Sequence, residues 1–192
     1  MDYILVILIT YLLGSIPFGF LLTKFFLQKD IRNIGSGNIG ATNALRTGNK
    51  IIGFSTLVLD VGKAVLPIIL IKYYFPQYIY IGALSVFLGH VFPVWLKFKG
   101  GKGVAAYLGI LFSINVLFAI VFSVSWLIVY FISKLSSLSS LIATLSVPIF
   151  IFFFNIQSNI IFFLIMFVLI FYTHRENIKR LKNKEETKTK IY

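Results

Sequence analysis

Residues 35–46 read GSGNIGATNALR and form the longest polar, glycine-rich segment in a chain that is otherwise mostly apolar. Apolar stretches at 3–22 and 51–75 border this segment, and each has roughly the 20 residues that a helix needs to cross a bilayer. Because glycine tolerates positive φ and leaves backbone N–H groups uncovered, the segment predicts a concave site for an anion. The alternative is a flexible linker, but the Ser, Asn, Thr and Arg side chains among the glycines favour the anion site.

The composition predicts an all-α integral membrane protein. Of its 192 residues, 58% are hydrophobic and only 12% are charged, which exceeds the apolar content that a soluble domain of this size needs. We interpret residues 1–182 as one transmembrane domain and residues 183–192 as a disordered cytoplasmic tail. No basic segment precedes residues 3–22, so this stretch is predicted to be a retained span and not a cleaved signal.

Several chemistries are excluded by residue content. The chain has no cysteine, which rules out disulfides and thiolate catalysis. Its two histidines are far apart and its carboxylates are few, so no metal site and no cofactor are predicted. The glycine-rich segment does not match a Walker A sequence or a dinucleotide fingerprint, so a nucleotide site is disfavoured.

Seven apolar stretches predict seven transmembrane helices. A weak break near Asn115 divides a stretch that is too long for one span, and Gly14-Ser15-Ile16-Pro17 predicts a kink in the first span. The predicted spans are 3–22, 51–75, 78–94, 104–114, 117–133, 141–154 and 160–173.

The distribution of basic residues predicts the orientation of these spans. With an outer N-terminus, the inner segments are 24–50, 95–103, 134–140 and the tail from His174, and they hold 16 of the 18 Lys and Arg residues. This asymmetry follows the positive-inside rule, so the N-terminus is predicted outside and the C-terminus in the cytoplasm. Because the basic residues lie between apolar spans, the net charge of +12 indicates topology and anionic ligands and no nucleic acid.

A second loop, residues 97–103, reads KFKGGKG and combines glycines with three lysines. Lys102 lies between glycines, where its charge and nearby backbone N–H groups predict a phosphate contact. The alternative is a basic loop that only sets topology, which is the preferred interpretation of Lys97 and Lys99.

Polar residues inside or beside spans leave alternatives open. Asp60 and Lys63 form either a structural ion pair or part of the site, because charged residues in a bilayer are costly unless paired. His90 is either a packed histidine or a proton carrier.

His174 and Asn177 share one side of a predicted tail helix, which favours a ligand site over a solvated anchor. The serines of the 134–140 loop are expected chiefly to cap the next helix, and one of them could face a ligand; they are at positions 136, 137, 139 and 140.

These motifs together resemble the PlsY family of bacterial acyl-phosphate:glycerol-3-phosphate acyltransferases. The resemblance covers most of the chain. It rests on Gly14-Ser15-Ile16-Pro17, Ser36-Gly37-Asn38-Ile39-Gly40-Ala41-Thr42-Asn43 with Arg46, Asp60-Val61-Gly62-Lys63, Gly89-His90-Val91-Phe92-Pro93, Phe98-Lys99-Gly100-Gly101-Lys102-Gly103-Val104-Ala105 and His174-Arg175-Glu176-Asn177-Ile178-Lys179-Arg180-Leu181. Two positions depart from the usual pattern, Ala64 after the lysine of the second motif and Thr173 before His174.

The resemblance implies a multi-pass enzyme of the bacterial cell (inner) membrane with its active site on the cytoplasmic face. The implied reaction moves an acyl chain from acyl phosphate to the 1-hydroxyl of glycerol 3-phosphate, giving lysophosphatidic acid and phosphate. It implies no metal, and the only partners expected are the two substrates and membrane lipids, with no nucleic acid and no obligate protein partner. The residues expected to be catalytic are Ser36, Arg46, Lys102, His174 and Asn177.

The remaining site residues are expected to bind substrate, chiefly phosphate. Asn38 and Ser139 follow from the resemblance, and the others lie in the two glycine-rich loops, whose backbone amides can cradle a phosphate. These loop residues are Gly37, Gly40, Thr42, Asn43, Gly100, Gly101 and Gly103.

Two other functions compete with the acyltransferase. A transporter of phosphate esters would need a polar path to the outer face, yet the outer loops are short and nearly uncharged, and no inverted pair of broken helices is evident. A non-catalytic membrane scaffold would not explain the two glycine-rich basic loops.

Overall fold

The computed structural model describes residues 2–188, and the regular structure within that range is helical. Apolar runs of about 11 to 25 residues form the long helices, since a buried backbone must satisfy its own hydrogen bonds. The α-helices in chain order are α1 (Asp2–Gly14), α2 (Phe18–Leu27), α3 (Ala41–Leu45), α4 (Lys50–Tyr74), α5 (Ile79–Val91), α6 (Val104–Ile114), α7 (Val116–Ser133), α8 (Ser136–Phe153), α9 (Ile160–Thr173) and α10 (Arg175–Lys182).

The helices belong to two compact units, residues 1–114 and residues 115–192. In the first unit α1 packs on α5, and α4 packs on α6. In the second unit α7 packs on α8, and α8 packs on α9. Each unit carries one part of the predicted site.

Five segments between residues 2 and 188 are long and apolar enough to cross a membrane. A sixth results if α9 and α10 count as one bent span, with 63° between them, and α6 is a shorter apolar helix. The prediction of an all-helical membrane protein is confirmed, and the count of seven spans stays a prediction. The long segments are 2–27, 50–74, 76–96, 116–133 and 136–153.

The two breaks expected from the sequence are present. Residues 15–17 separate α1 from α2, and Asn115 separates α6 from α7. The Oδ1 atom of Asn115 accepts a hydrogen bond from the N–H of Leu117 at 2.9 Å, so Asn115 caps the start of α7. A polar cap explains why an apparently weak break ends one helix and starts another.

Close contact between α1 and α5 depends on glycine. A Cβ at Gly14 would collide with the backbone carbonyl of Val86, and a Cβ at Gly89 would collide with that of Tyr11. Small residues let membrane helices approach until their backbones touch. This packing holds the end of α1, and with it the break at 15–17, against α5.

A buried ion pair stabilises the break at residues 15–17, between α1 and α2. Lys63 Nζ lies 2.7 Å from Asp60 Oδ1 and also donates to the carbonyl of Ile16, at 2.7 Å. His90 is buried, with its Nδ1 3.7 Å from the same carboxylate oxygen. The helix break leaves the Ile16 carbonyl outside the regular helical hydrogen bonds, and the lysine satisfies it. The Asp60–Lys63 pair therefore has a structural role at the break, and His90 packs beside it. A further part of this pair in the site and a proton-carrier role of His90 stay predictions.

Asp60→Ala is expected to lower the free energy of unfolding by about 3 kcal/mol or more, because it leaves the charge of Lys63 buried without its partner. Thermal unfolding in detergent measures the effect. The matched control is Asp60→Ala with Lys63→Met, which removes both charges and should recover much of the loss. An Asp60→Ala protein with an unchanged melting temperature would contradict the structural role of the pair.

The serine-rich segment of the second unit differs from its prediction as a loop. Helix α8 already begins at Ser136, and its N-cap residue, Leu135, has no side chain that could make a capping hydrogen bond. Ser139 and Ser140 instead donate to the carbonyls four residues earlier, at 2.8 Å each. The capping prediction is therefore wrong, since these hydroxyls satisfy themselves within the helix that they were expected to start.

Candidate functional site

Asn43 organises the glycine-rich loop of the first unit. Its Nδ2 donates to the carbonyls of Ile34 and Asn38 at 2.8 Å each, and to that of Ile31 at 3.1 Å. Its Oδ1 accepts from the N–H of Ser36 at 3.0 Å. The amide is buried and uses both its donor and its acceptor capacity inside the loop. Asn43 therefore shapes the loop, and its predicted contact with phosphate stays a prediction.

Arg46 lies against the glycines of this loop, just after the short helix α3. Gly35 and Gly37 have φ values of +53° and +70°, in the region that favours glycine. A Cβ on Gly35 would lie 2.5 Å from Asn43 Oδ1 and 2.7 Å from Cδ of Arg46, so only glycine fits there. The Arg46 guanidinium has no hydrogen bond or ion pair within residues 2–188, which leaves its donors for a ligand.

The other predicted residues of this loop lie around the same turn. Asn38 Oδ1 accepts from the N–H of Gly40 at 2.9 Å, and this bond fixes the start of α3. Ser36 is exposed, and Thr42 is half-buried on α3. The hydrogen bonds of Asn38 and Asn43 give the loop a defined shape, which disfavours the flexible-linker alternative.

The glycines of the second loop are explained by packing against α5. The N–H groups of Gly100 and Gly101 donate to the carbonyls of Val91 and His90, at 3.1 Å each. A Cβ on Gly101 would collide with the ring of His90. These two N–H groups thus hold the loop to the end of α5. The predicted phosphate cradle stays a prediction that rests on Lys102 and Gly103.

Gly103 and Lys102 lie where the second loop enters α6. Gly103 has φ +86°, and a Cβ there would collide with the ring of Phe87. Lys102 is half-buried, while Lys97 and Lys99 are exposed. The structure therefore separates one lysine of the loop from the two that were predicted to set topology alone.

His174 occupies the bend between α9 and α10 in the second unit. It is buried, and its Nδ1 lies 2.8 Å from the carbonyl of Ile170. Because a carbonyl only accepts hydrogen bonds, Nδ1 carries the proton, and Nε2 is an acceptor in the neutral ring. The bend thus orients the imidazole with a defined tautomer.

Asn177 is one turn further along α10 and belongs to a buried polar cluster. Its Nδ2 donates to Glu186 Oε1 at 2.6 Å, and Ser137 Oγ donates to the same oxygen at 2.8 Å. Arg180 Nε donates to Glu186 Oε2 at 2.7 Å. Partial burial alone would raise the pKa of Glu186, but the hydrogen bonds from Asn177, Ser137 and Arg180 outweigh it and lower that pKa. Glu186 is therefore an ionised carboxylate at neutral pH.

The contacts that join Ser137, Arg180 and Glu186 to Asn177 were not predicted from the sequence, in which Ser137 was named only among the serines of which one could face a ligand. Glu186 lies in the segment that was predicted to be a disordered tail, so no contact was expected for it. Residues 189–192 lie outside the described residues, and the disorder of the tail stays a prediction. One sequence feature could have indicated the cluster: Arg180 follows Asn177 by three residues, so the two side chains lie on the same face of a helix. The favoured serine, Ser139, is fully buried and donates to the Leu135 carbonyl, so its predicted contact with substrate also stays a prediction.

The predicted residues are thus grouped within each unit. In the first unit one loop carries Ser36, Asn38 and Arg46, and a second loop carries Lys102. In the second unit one bend carries His174 and Asn177. Each unit therefore presents polar side chains, and the first presents cations, from helices that are otherwise apolar.

Comparisons with known proteins identify the family of this chain. A sequence model of the glycerol-3-phosphate acyltransferase family matches residues 4–184. A glycerol-3-phosphate acyltransferase of Pelagibacter ubique is 68% identical over the full length of both chains. One of Bradyrhizobium diazoefficiens is 48% identical over 95% of this chain and 92% of its own.

Solved structures agree as well. A crystal structure of PlsY, an integral membrane glycerol 3-phosphate acyltransferase, in its glycerol 3-phosphate form has a TM-score of 0.92 and 35% identity, and covers 99% of this chain and 96% of that one. A second crystal structure of PlsY, in a lysophosphatidic acid form, has a TM-score of 0.88 and 34% identity, covering 98% and 95%. The resemblance seen in the sequence is confirmed, and the chain belongs to the glycerol-3-phosphate acyltransferase family.

Proposed function

We propose that this protein transfers an acyl chain from acyl phosphate to the 1-hydroxyl of glycerol 3-phosphate, releasing lysophosphatidic acid and phosphate. The observation that carries the proposal is Arg46, whose guanidinium lies on a well-defined glycine-rich loop of an apolar chain with its donors uncommitted within residues 2–188. Family membership supports the acceptor substrate. The choice of acyl phosphate as donor fits a site with two separate cationic loops, because both substrates then carry a phosphate.

The proposed step is attack of the glycerol hydroxyl oxygen on the acyl carbonyl carbon. The new ester C–O bond forms, the bond from the carbonyl carbon to the phosphate oxygen breaks, and phosphate leaves with that electron pair. The hydroxyl proton passes to phosphate or to an acceptor such as Nε2 of His174. Since phosphate is a good leaving group, positioning and charge neutralisation supply most of the catalysis.

The proposed roles follow from the charge and placement of each side chain. Arg46 and Lys102 neutralise phosphate groups. Ser36 and Asn38 orient the acyl donor, and His174 and Asn177 orient the glycerol acceptor. Backbone N–H groups of the first loop and of Gly103 complete the phosphate contacts. The reaction needs no metal and no cofactor in this scheme, because the two cations take the phosphate charge.

The proposed setting is the bacterial cell membrane, crossed seven times. The short helix α6 is then the fourth span, and α9 is the seventh, with an outer N-terminus and a cytoplasmic C-terminus. Both glycine-rich loops face the cytoplasm in this arrangement. The acyl chain stays among apolar helices while the phosphates meet the basic loops.

A reconstitution experiment separates the acyltransferase from the transporter. Purified protein in liposomes is given acyl phosphate and labelled glycerol 3-phosphate, and both lysophosphatidic acid and trapped label are measured. We expect labelled lysophosphatidic acid without uptake of glycerol 3-phosphate. Uptake without product would support transport and contradict the proposal.

Lys102→Ala is expected to reduce acyl transfer by about a hundredfold, since it removes a cation that stabilises a phosphate as charge develops. Turnover of glycerol 3-phosphate in detergent measures the effect. Lys99→Ala is the matched control, because Lys99 lies in the same loop but is exposed, and its turnover should remain close to that of the wild type. Equal losses in the two variants would assign the effect to loop charge in general.

A further inference from the structure

Lys102 lies between two glycines, and each of these glycines packs against a ring on α5. A Cβ on Gly101 would collide with Nε2 of His90, and a Cβ on Gly103 would collide with the ring of Phe87. His90 and Phe87 are three residues apart on α5, so their side chains lie on the same face of that helix. The two rings therefore contact the backbone on both sides of Lys102.

The ring of His90 is held from its other side as well. His90 and Phe87 are both buried, and close packing leaves a buried ring little freedom to move. While Nε2 of His90 faces Gly101, Nδ1 lies 3.7 Å from Oδ1 of Asp60, which pairs with Lys63 at 2.7 Å. The imidazole thus fills the space between the buried ion pair and the second loop.

The backbone of the second loop is fixed at the same place. The N–H of Gly101 donates to the carbonyl of His90 at 3.1 Å, so this histidine contacts Gly101 through its backbone and through its ring. Gly103 has φ +86°, and α6 begins at the next residue. A shift of either ring would therefore move the backbone that carries the side chain of Lys102.

We infer that His90 and Phe87 are positioning residues for acyl transfer, which place the ammonium group of Lys102 by fixing the glycines on either side of it. This inference rests on the proposed function, in which Lys102 neutralises a phosphate. His90 acts through the size and position of its ring, and no proton transfer through it is needed. The rival is the proton-carrier role that the sequence leaves open for this histidine.

Removal of Lys102 tests whether the ring of His90 acts through it. His90→Ala is expected to reduce acyl transfer from acyl phosphate by at least about tenfold, because small displacements of catalytic groups are costly in rate. In Lys102→Ala the same substitution should cost less than about twofold, since the group that the ring places is already gone. Both single variants should change the same parameter, kcat or KM. Losses that multiply in the double variant would overturn the inference.

An exchange of size between Gly101 and His90 tests the contact itself. Gly101 is not among the glycines with positive φ, so its backbone tolerates alanine, and the three atoms nearest to the added methyl group all belong to the His90 ring. Gly101→Ala alone is expected to reduce turnover by about a hundredfold. Gly101→Ala with His90→Ala should be about tenfold faster than Gly101→Ala, because the methyl group enters the space that the ring leaves. A double variant no faster than Gly101→Ala would contradict the inference.

His90→Gln separates packing from proton transfer. The glutamine amide reaches the position of Nε2 but does not titrate, so we expect turnover within about fivefold of the wild type. A loss as large as that of His90→Ala would support the proton carrier and overturn the inference.

Two further variants exclude an effect of stability alone. Val86→Ala is the matched control, because Val86 is fully buried on α5 one turn before His90 and further from the second loop. We expect a lower melting temperature with turnover close to that of the wild type below it. If His90→Ala does not fold, Phe87→Leu gives the same test beside Gly103, with a loss of about fivefold that disappears in Lys102→Ala. A wild type that makes no lysophosphatidic acid would contradict the proposed function, whereas an active wild type with multiplying losses would contradict this inference alone.

Discussion

Arg46→Ala is expected to reduce acyl transfer by about a hundredfold to a thousandfold while leaving membrane insertion and helix content unchanged. The guanidinium lies beside Gly35 on a loop whose shape Asn43 fixes, and it has no partner within residues 2–188. A cation held in place before the substrate arrives stabilises developing negative charge without reorganisation. Turnover of glycerol 3-phosphate, with circular dichroism of the same sample, measures both quantities.

Two further variants give this experiment its controls. Arg46→Lys keeps the charge but loses the two-pronged donor, so we expect about a tenfold loss. Arg32→Ala should retain activity, because Arg32 is exposed and pairs with Asp30 at 2.6 Å, a contact that lowers the pKa of Asp30 to about 2. Near-normal turnover in Arg46→Ala would remove the main support for the proposed site.

Asn43→Ala is expected to cost about a hundredfold in turnover, because the amide holds the shape of the loop that carries Ser36 and Arg46. Its removal breaks every hydrogen bond between this side chain and the loop, to Ser36, Ile34, Ile31 and Asn38. A displacement of about 1 Å in catalytic groups can cost about a hundredfold in rate, so a loosened loop misplaces Ser36 and Arg46. Proteolysis of the loop and turnover should change together.

Asn43→Asp separates the hydrogen bond that Asn43 accepts from those that it donates. Aspartate can still accept from the N–H of Ser36, but it turns an oxygen toward the carbonyls that now accept from Nδ2, so we expect no rescue. Asn49→Ala is the matched control near the loop. Asn49 only caps α4, through Oδ1 and the N–H of Ile52 at 3.1 Å, and its loss should cost about 1 kcal/mol of stability and little activity. An active, protease-resistant Asn43→Ala protein would contradict the account of the loop.

Hydropathy was enough to predict most of the helices. Long apolar runs must form helices in a bilayer, because no other structure of a single short segment satisfies its backbone there. The break at Asn115 and the break at residues 15–17 were predicted for the same reason, since each interrupts an apolar run with polar or helix-breaking residues. The loop of residues 35–46 was also predicted as the centre of the first polar group.

Contacts between distant segments could not be predicted in this way. Glycines 100 and 101 were interpreted as a phosphate cradle, but their small size serves the approach of the loop to α5, which depends on residues ten positions earlier. The carboxylate of Glu186 accepts a hydrogen bond from Ser137, which is almost fifty residues away in the chain. Composition alone favours disorder for the basic tail, and only the tertiary contact shows why that glutamate is held.

The prediction that the serines of the serine-rich segment cap the next helix was wrong for a local reason. Serines before an apolar run usually cap a helix, but a serine inside the first turns can donate to a carbonyl four residues earlier. Ser139 and Ser140 take this second option. The choice between the two depends on where the helix starts, which propensity alone does not determine.

The central claim is that this chain acylates glycerol 3-phosphate with acyl phosphate. Purified protein is incubated with glycerol 3-phosphate and, in separate reactions, acyl phosphate, acyl-CoA or acylated carrier protein, and lysophosphatidic acid and phosphate are quantified. We predict product with acyl phosphate alone, with one phosphate released for each lysophosphatidic acid, and its loss in Arg46→Ala. Product from acyl-CoA at an equal rate, or none from acyl phosphate, would contradict the account.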